Sequence, residues 1–384
     1  IFVASDVPAK GHKTYTLVDG GCPGNPPASV SVSTFRLENK YFSIQLDEKG
    51  TLVSLYDKIA QRQVLKKGER GNRILAFEDK PLNWDNWDID IFYRDKMWEV
   101  DRVERIEILE ENPVRGGIRI HKVFMHSRIV QDIFIYGQIP RIDFSTHVDW
   151  KESQILLRAV FPVDVHADKA TYDIQFGNIE RSAHMNTSWD VAQFEVCAHK
   201  WADLSEEGYG VSLMNDCKYG HSIKNGDIGL TLLKSGIEPN AEADREKHRF
   251  TYSLYPHTGN WKRAKTAQMA CGLNVPFYTR LEPSHPGRLP QEYSMVQVDS
   301  DNVMLETVKK AHGSSDIVVR LHEYHGRRTR AAMVLAIPFT SVWECDLLEN
   351  EIALAPAEGP KIPFEIRPYE IKTFKIGFCT SRLP

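Results

Sequence analysis

The chain has 384 residues and a net charge of −4, from 48 basic and 52 acidic side chains, with 42% hydrophobic and 26% charged residues. Those proportions exclude a mostly disordered chain, and the near balance of charge excludes a binder driven by nucleic-acid phosphates. No apolar run approaches the roughly 20 residues that cross a bilayer, and no leader pattern precedes the first strand, so a cytoplasmic protein without a membrane partner is expected. Six cysteines stand far apart at 22, 197, 217, 271, 345 and 379, with no CxxC pair. That spacing predicts free thiols rather than a zinc ribbon.

In chain order, Ile1-Phe2-Val3 reads as the start of a strand, as if the chain continued a longer protein; a removed tag is the alternative. Residues 1–17 read as the closing strand or strands of something upstream, because Lys13-Thr14-Tyr15-Thr16-Leu17 alternates but is too short for a core of its own. Residues 18–30, rich in Gly and Pro, read as a linker. Residues 31–280 alternate with a period of two and predict one large sandwich. Strands are expected at 41–47, 51–56, 116–125, 128–136, 141–150, 154–161, 209–215, 228–233, 249–255 and 266–273. Turn signals such as Glu48-Lys49-Gly50 and Asn225-Gly226 fall between them. Pro283, Pro286 and Pro290 mark a second boundary. Residues 291–384 predict a smaller β unit with strands near 316–323, 331–337, 350–355, 361–367 and 370–377. The fold class is all-β, built of antiparallel sheets.

Two segments could carry chemistry. Pro81-Leu82-Asn83-Trp84-Asp85-Asn86-Trp87-Asp88-Ile89-Asp90 packs two tryptophans among aspartates. Sugar sites want this mixture, because an indole covers the apolar face of a pyranose and a carboxylate accepts from its hydroxyls. A loop whose tryptophans plug a sandwich edge is the plain structural alternative. The second segment runs from Phe176 to Asp190 and holds Arg181, His184, Asn186 and Trp189. It reads as a long polar loop of the kind that carries function. His147-Val148-Asp149 and His166-Ala167-Asp168 pair possible metal ligands on one strand face, but neither gathers a third, so no metal site is expected in this chain. Asn186-Thr187-Ser188 is a formal glycosylation sequon, read as a coincidence. No phosphate loop, nucleophile elbow or dinucleotide fingerprint is present.

The run Asp79 to Asp88 resembles the C-terminal half of the glycoside hydrolase family 38 α-mannosidases, most closely their cytosolic and bacterial branch. The resemblance continues through Ile174–Arg181, His184–Asp190, Phe194–Val196, Ala198–Glu206, Asn215–Gly220 and Tyr255–His257. Asp346–Glu349 and Arg367–Thr373 extend it almost to the end. It implies a large supersandwich like that of galactose mutarotase, followed by a smaller C-terminal β-sandwich unit. It also implies an upstream catalytic domain and helix bundle as partners, and makes residues 1–17 the tail of an upstream small β-domain. The family's mechanism is retaining, with an Asp nucleophile, a second carboxyl group as acid and base, and a divalent metal, zinc or cobalt, held by upstream His and Asp.

On this reading no catalytic residue lies in the chain. Trp84, Asp85, Trp87 and Asp88, with Arg181, His184, Asn186 and Trp189, are expected to wall the pocket for a mannose-containing oligosaccharide. The isolated chain is expected to be inactive, and an apolar face left bare would favour a homo-oligomer. A free-standing carbohydrate-binding module is the alternative. An epimerase using Glu180, His184 and Glu195 is a third reading.

Overall fold

The computed structural model describes residues 2–20, 30–287 and 289–378. The expected linker falls mostly outside them. The chain divides into two compact units, one from residues 1–2, 22–173 and 179–277, the other from 3–21, 174–178 and 278–384.

The first unit is a sandwich of antiparallel sheets. A nine-stranded sheet runs in the order Gly177–Ser182, Lys169–Ile174, Trp201–Ser205, Tyr209–Asn215, Lys247–Thr258, Ile142–Asp149, Ser127–Tyr136, Arg115–Phe124, Val103–Glu111. A six-stranded sheet runs Val196–Cys197, Gly220–Lys224, Asp227–Lys234, Ile155–Pro162, Arg73–Glu78, Met97–Glu99. A five-stranded sheet covers Ser31–Ser33 to Arg62–Gln63 and is bridged to the six-stranded one at Leu52–Gly71 and Leu65–Val163. One continuous core takes side chains from all three, including Ile44, Ile118, Phe144, Leu157, Leu213 and Tyr252. The Phe144 ring lies 5.5 Å from that of Phe161 on the six-stranded sheet, so the two larger sheets interdigitate as sandwich layers do.

The alternating runs explain most strands. In Phe42–Leu46, Phe42, Ile44 and Leu46 are buried and Gln45 is exposed, as a two-residue period requires of a half-buried strand. Tyr209–Asn215 is buried at every position because it is covered on both faces. Tyr209, Val211 and Leu213 enter the core, while Ser212 meets Thr266 of the helix Thr266–Asn274, hydroxyl to hydroxyl at 2.8 Å.

That helix corrects the strand expected at 266–273. Ala267, Met269, Cys271 and Leu273 do alternate. However, Thr266 and Ala270, four apart, form the buried face, and Ala, Gln, Met and Leu are good helix formers. The segment Lys13–Leu17 is likewise not a strand beyond Gly11–Lys13.

The second unit pairs a three-stranded sheet, Val296–Val298, Thr329–Leu335, Lys361–Ile366, with a five-stranded one, Val303–Lys310, Ile317–Glu323, Ile371–Gly377, Ser341–Cys345, Glu351–Leu354. Val296, Met333, Ile362 and Ile366 from the first sheet meet Val319, Leu321, Phe374 and Ile376 from the second in a separate core. No helix among the described residues is long and apolar enough to cross a membrane. Cys197, Cys217, Cys271 and Cys345 are free thiols.

Candidate functional site

The six-stranded sheet has an outer face of its own. Leu157, Ala159 and Phe161 point into the main core, so Leu156, Arg158 and Val160 point out. Leu75, Phe77, Tyr93 and Leu156 form a second, smaller apolar cluster there, with Ile89, Val160 and Phe194 packed against it. Ile89 belongs to the first candidate segment and Phe194 follows the second. The first segment, through Ile89, and the stretch just past the second, through Phe194, therefore pack on one face of the six-stranded sheet.

The first segment is a tight loop. Trp84 adopts a left-handed backbone (φ 53°), and its carbonyl accepts from Trp87 N (2.8 Å) and Asp88 N (3.0 Å). Asp90 Oδ2 accepts from Leu82 N at 3.0 Å, closing the loop end to end. The Trp84 and Trp87 rings are 5.8 Å apart and tilted by 49°. They are 57% and 72% exposed, a large apolar area left in water.

Asp85 differs from its neighbours. It is buried, and its carboxylate accepts from Ile237 N (2.9 and 3.0 Å), Glu238 N (2.7 Å) and Gln154 Nε2 (3.4 Å). Burial raises its pKa, but the Glu238 and Ile237 backbone donors outweigh that and hold the carboxyl below its usual range. Its oxygens are engaged by protein, which makes Asp85 the anchor of the loop. Asp88 stays exposed, with Oδ1 3.3 Å from Ile89 N. Asp85→Ala is expected to lower stability by about 2 kcal/mol, because buried backbone donors lose their acceptor. Urea unfolding of the chain checks this; an unchanged midpoint would contradict it.

The second segment is not the loop expected. Gly177–Ser182 is an edge strand, which carries Arg181, and Ser188–Ala192 is a short helix, which carries Trp189. The helix begins because Thr187 and Asp190 cap each other: Thr187 Oγ1 accepts from Asp190 N (3.2 Å) and Asp190 Oδ2 accepts from Thr187 N (3.1 Å). Hydrogen bonds from Ser182 and Thr187 hold the Asp190 carboxyl below its usual pKa range. His184 Nδ1 sits 3.4 Å from Asp190 Oδ2 and 3.4 Å from Asn186 N, so His184 and Asn186 come together. Lys224 Nζ donates to the carbonyls of Ser182 (2.9 Å), His184 (3.2 Å) and Asp190 (3.4 Å), tying the segment to the sheet. Trp189 is 81% exposed. Arg181 lies apart from these, its guanidinium 4.8 Å from the Tyr172 ring.

The link between the segments is the 3-10 turn Ile91–Asp95. Arg94 reaches the second segment through Met185 Sδ (3.7 Å) and the Phe194 carbonyl (3.3 Å). Tyr93 accepts a hydrogen bond from Arg158 Nη1. Arg158 Nη2 donates to Ser222 Oγ (2.6 Å) and lies 3.0 Å from Glu195 Oε2. That last approach is an ion pair without hydrogen-bond alignment. Thr231 Oγ1 donates to the other Glu195 oxygen. Sequence reasoning missed Arg158 and Tyr93. The available signal was a single arginine inside Ile155-Leu156-Leu157-Arg158-Ala159-Val160-Phe161, since a charge in such a run has to be partnered.

Glu180 pairs with Lys169 at 3.2 Å, His184 with Asp190 and Glu195 with Arg158, so the three residues of the epimerase reading have separate partners. Among the described residues no three His, Cys, Asp or Glu side chains are grouped as a metal centre needs. Asp149 is instead paired with Lys151 at 2.7 Å.

A family profile described as the glycosyl hydrolases family 38 C-terminal domain matches residues 37–242, and one described as that family's C-terminal beta sandwich domain matches 302–374. The chain is 38% identical to Alpha-mannosidase G of Dictyostelium discoideum over 92% of its own length and 34% of that protein's. It is 37% identical to Alpha-mannosidase 2C1 of Homo sapiens over 82% of its own length and 30% of that protein's. The chain thus spans about a third of the length of the curated relatives it matches. An α-mannosidase structure from Enterococcus faecalis V583 superposes with a TM-score of 0.72 at 16% identity, covering 89% of this chain and 42% of that one, which shows a shared fold. The chain belongs to glycoside hydrolase family 38 and carries the C-terminal β domains of that family's α-mannosidases.

Proposed function

We propose that the chain is the non-catalytic part of a retaining, metal-dependent α-mannosidase that removes terminal α-mannosyl residues from oligosaccharides. Catalytic carboxylates and the zinc or cobalt ligands belong to upstream domains in this reading, and the protein is cytoplasmic, as in the branch it resembles. The chain scaffolds the catalytic domain and completes the wall of the sugar pocket with Trp84, Trp87, Asp88, Arg181, His184, Asn186 and Trp189. Asp85 holds that wall from behind. One observation carries the proposal: three tryptophans, 57%, 72% and 81% exposed, stand within five residues of Ile89 or Phe194, which pack in one apolar cluster on one sheet face. Indoles so exposed lower the free energy when a sugar face or a partner domain covers them.

The test uses the full-length protein. Trp84→Ala and Trp189→Ala should each lower kcat/KM for an aryl α-mannoside roughly tenfold. The 384-residue chain alone should turn over none, with or without cobalt or zinc. Parent kinetics in both variants, or turnover by the isolated chain, would overturn the proposal. A second reading, a free-standing carbohydrate-binding module, is favoured by the exposed Trp84–Trp87 pair alone. Titration of the isolated chain with mannose separates the two: saturable fluorescence quenching lost in Trp84→Ala supports the module.

A further inference from the structure

Arg158 is 4% exposed, in the middle of an apolar strand. A buried charge is costly, and an apolar replacement of similar volume is often as stable or more so. What the arginine adds is geometry. Its planar guanidinium directs fixed donors to several partners at once, which neither a methionine nor a lysine does. Here those partners belong to different elements: the Tyr93 hydroxyl from the turn after the first segment, Glu195 Oε2 just beyond the second, and Ser222 Oγ from the sheet itself.

The sheet is shaped around this group. A Cβ at Gly229 would stand 2.6 Å from Arg158 Nη2, and one at Gly220 would stand 2.9 Å from Glu195 Oε1. Two glycines on adjacent strands therefore leave the room that the ion pair occupies. Arg94, which crosses from the first turn to the Phe194 carbonyl, repeats the same connection nearer the surface.

We infer that Arg158 is a positioning residue that locks the two tryptophan-bearing segments to one sheet face and so fixes their mutual spacing where the sugar is met. The inference rests on the reading of these segments as a pocket wall. Displacements on the order of 1 Å in such a wall are enough to change substrate binding.

The experiment uses the full-length protein with four variants: Arg158→Lys, Tyr93→Phe, Ser222→Ala and Trp84→Ala. Hydrogen exchange is followed in peptides from 81–95 and 183–195, with KM and kcat for an aryl α-mannoside. Arg158→Lys should speed exchange in both segments together, roughly tenfold. It should raise KM roughly fivefold with kcat within about twofold. Tyr93→Phe, which keeps the packed ring, should loosen 81–95 and raise KM in the same direction. Ser222→Ala removes a bond to the same arginine but frees no segment, and should leave exchange in both at the parent rate. A lowered melting temperature in Arg158→Lys with parent KM and parent exchange would reduce the arginine to a structural role and overturn the inference. An unchanged KM in Trp84→Ala would instead overturn the pocket-wall reading, while the exchange data still decide whether Arg158 couples the two segments.

Discussion

Replacing Trp150 by alanine is expected to destabilise the larger unit by about 3–5 kcal/mol. The side chain is fully buried and stacks on Phe124, ring centroids 5.9 Å apart and planes 3° from parallel. Its Nε1 donates to Ser235 Oγ at 3.0 Å, and Ser235 Oγ also donates to the Ile155 carbonyl at 3.2 Å. Alanine thus leaves a large cavity against Phe124 but no unsatisfied serine. The expected loss is therefore that of packing. For a unit of this size it corresponds to a fall of about 10 °C in melting temperature, a large share of the 5–15 kcal/mol that typically holds a domain together. Trp150→Phe keeps most of the stacking and should lose less than half as much. A shift under about 2 °C in the alanine variant would show that Trp150 does not sit in this core.

The sandwich was legible because its strands obey a two-residue period. Phe42-Ser43-Ile44-Gln45-Leu46 and Ile142 to Asp149 announce a buried and an open face, and both are strands. The period misled at Thr266–Asn274, where four alternating apolar residues mimic a strand. What decides that segment is not local. The outward face of Trp201–Ser205 and Tyr209–Asn215 needs a cover, and Trp261 just before the helix packs on Trp201 at 4.9 Å. Strands with mixed faces, such as Val103–Glu111, were passed over because that strand ends the sheet and lacks a clean apolar stripe.

The site was legible in its exposed parts and hidden in its supports. Tryptophans beside aspartates declare themselves in the sequence. That Asp85 turns inward does not, because it depends on backbone N–H groups about 150 positions away. Arg158 likewise meets Tyr93 and Glu195 across gaps of 65 and 37 positions, far beyond any local pattern. Local pattern carries no information about such meetings; sheet register supplies it.

The second large effect is on pH dependence, through two buried groups in the first unit. His221 is fully buried, and its Nδ1 lies 3.1 Å from the Tyr219 carbonyl, to which it donates. Burial pushes its pKa from 6.5 down to about 4. The folded state therefore binds fewer protons than the unfolded state between those values. His221's contribution is complete above pH 6.5 and is lost as pH falls to about 4, about 3 kcal/mol in all. Lys122 is 1% exposed, with the Val100 carbonyl at 3.3 Å from Nζ, and burial lowers its pKa from 10.5 to about 8 against the pull of Asp47, Glu99 and Asp101. Below pH 8 its charge costs the fold about 3 kcal/mol, and stability recovers as pH rises from 8 to 10.5. Unfolding midpoints in urea should thus climb with pH in both windows. His221→Asn should flatten the acid window alone. Lys122→Met should flatten the alkaline window alone and raise stability at pH 7 by about 1–3 kcal/mol, since a charged amine gives way to an apolar chain of similar shape. If Lys122→Met keeps the parent slope between pH 8 and 10.5, the amine is not what titrates there, and its burial in this fold is refuted with it.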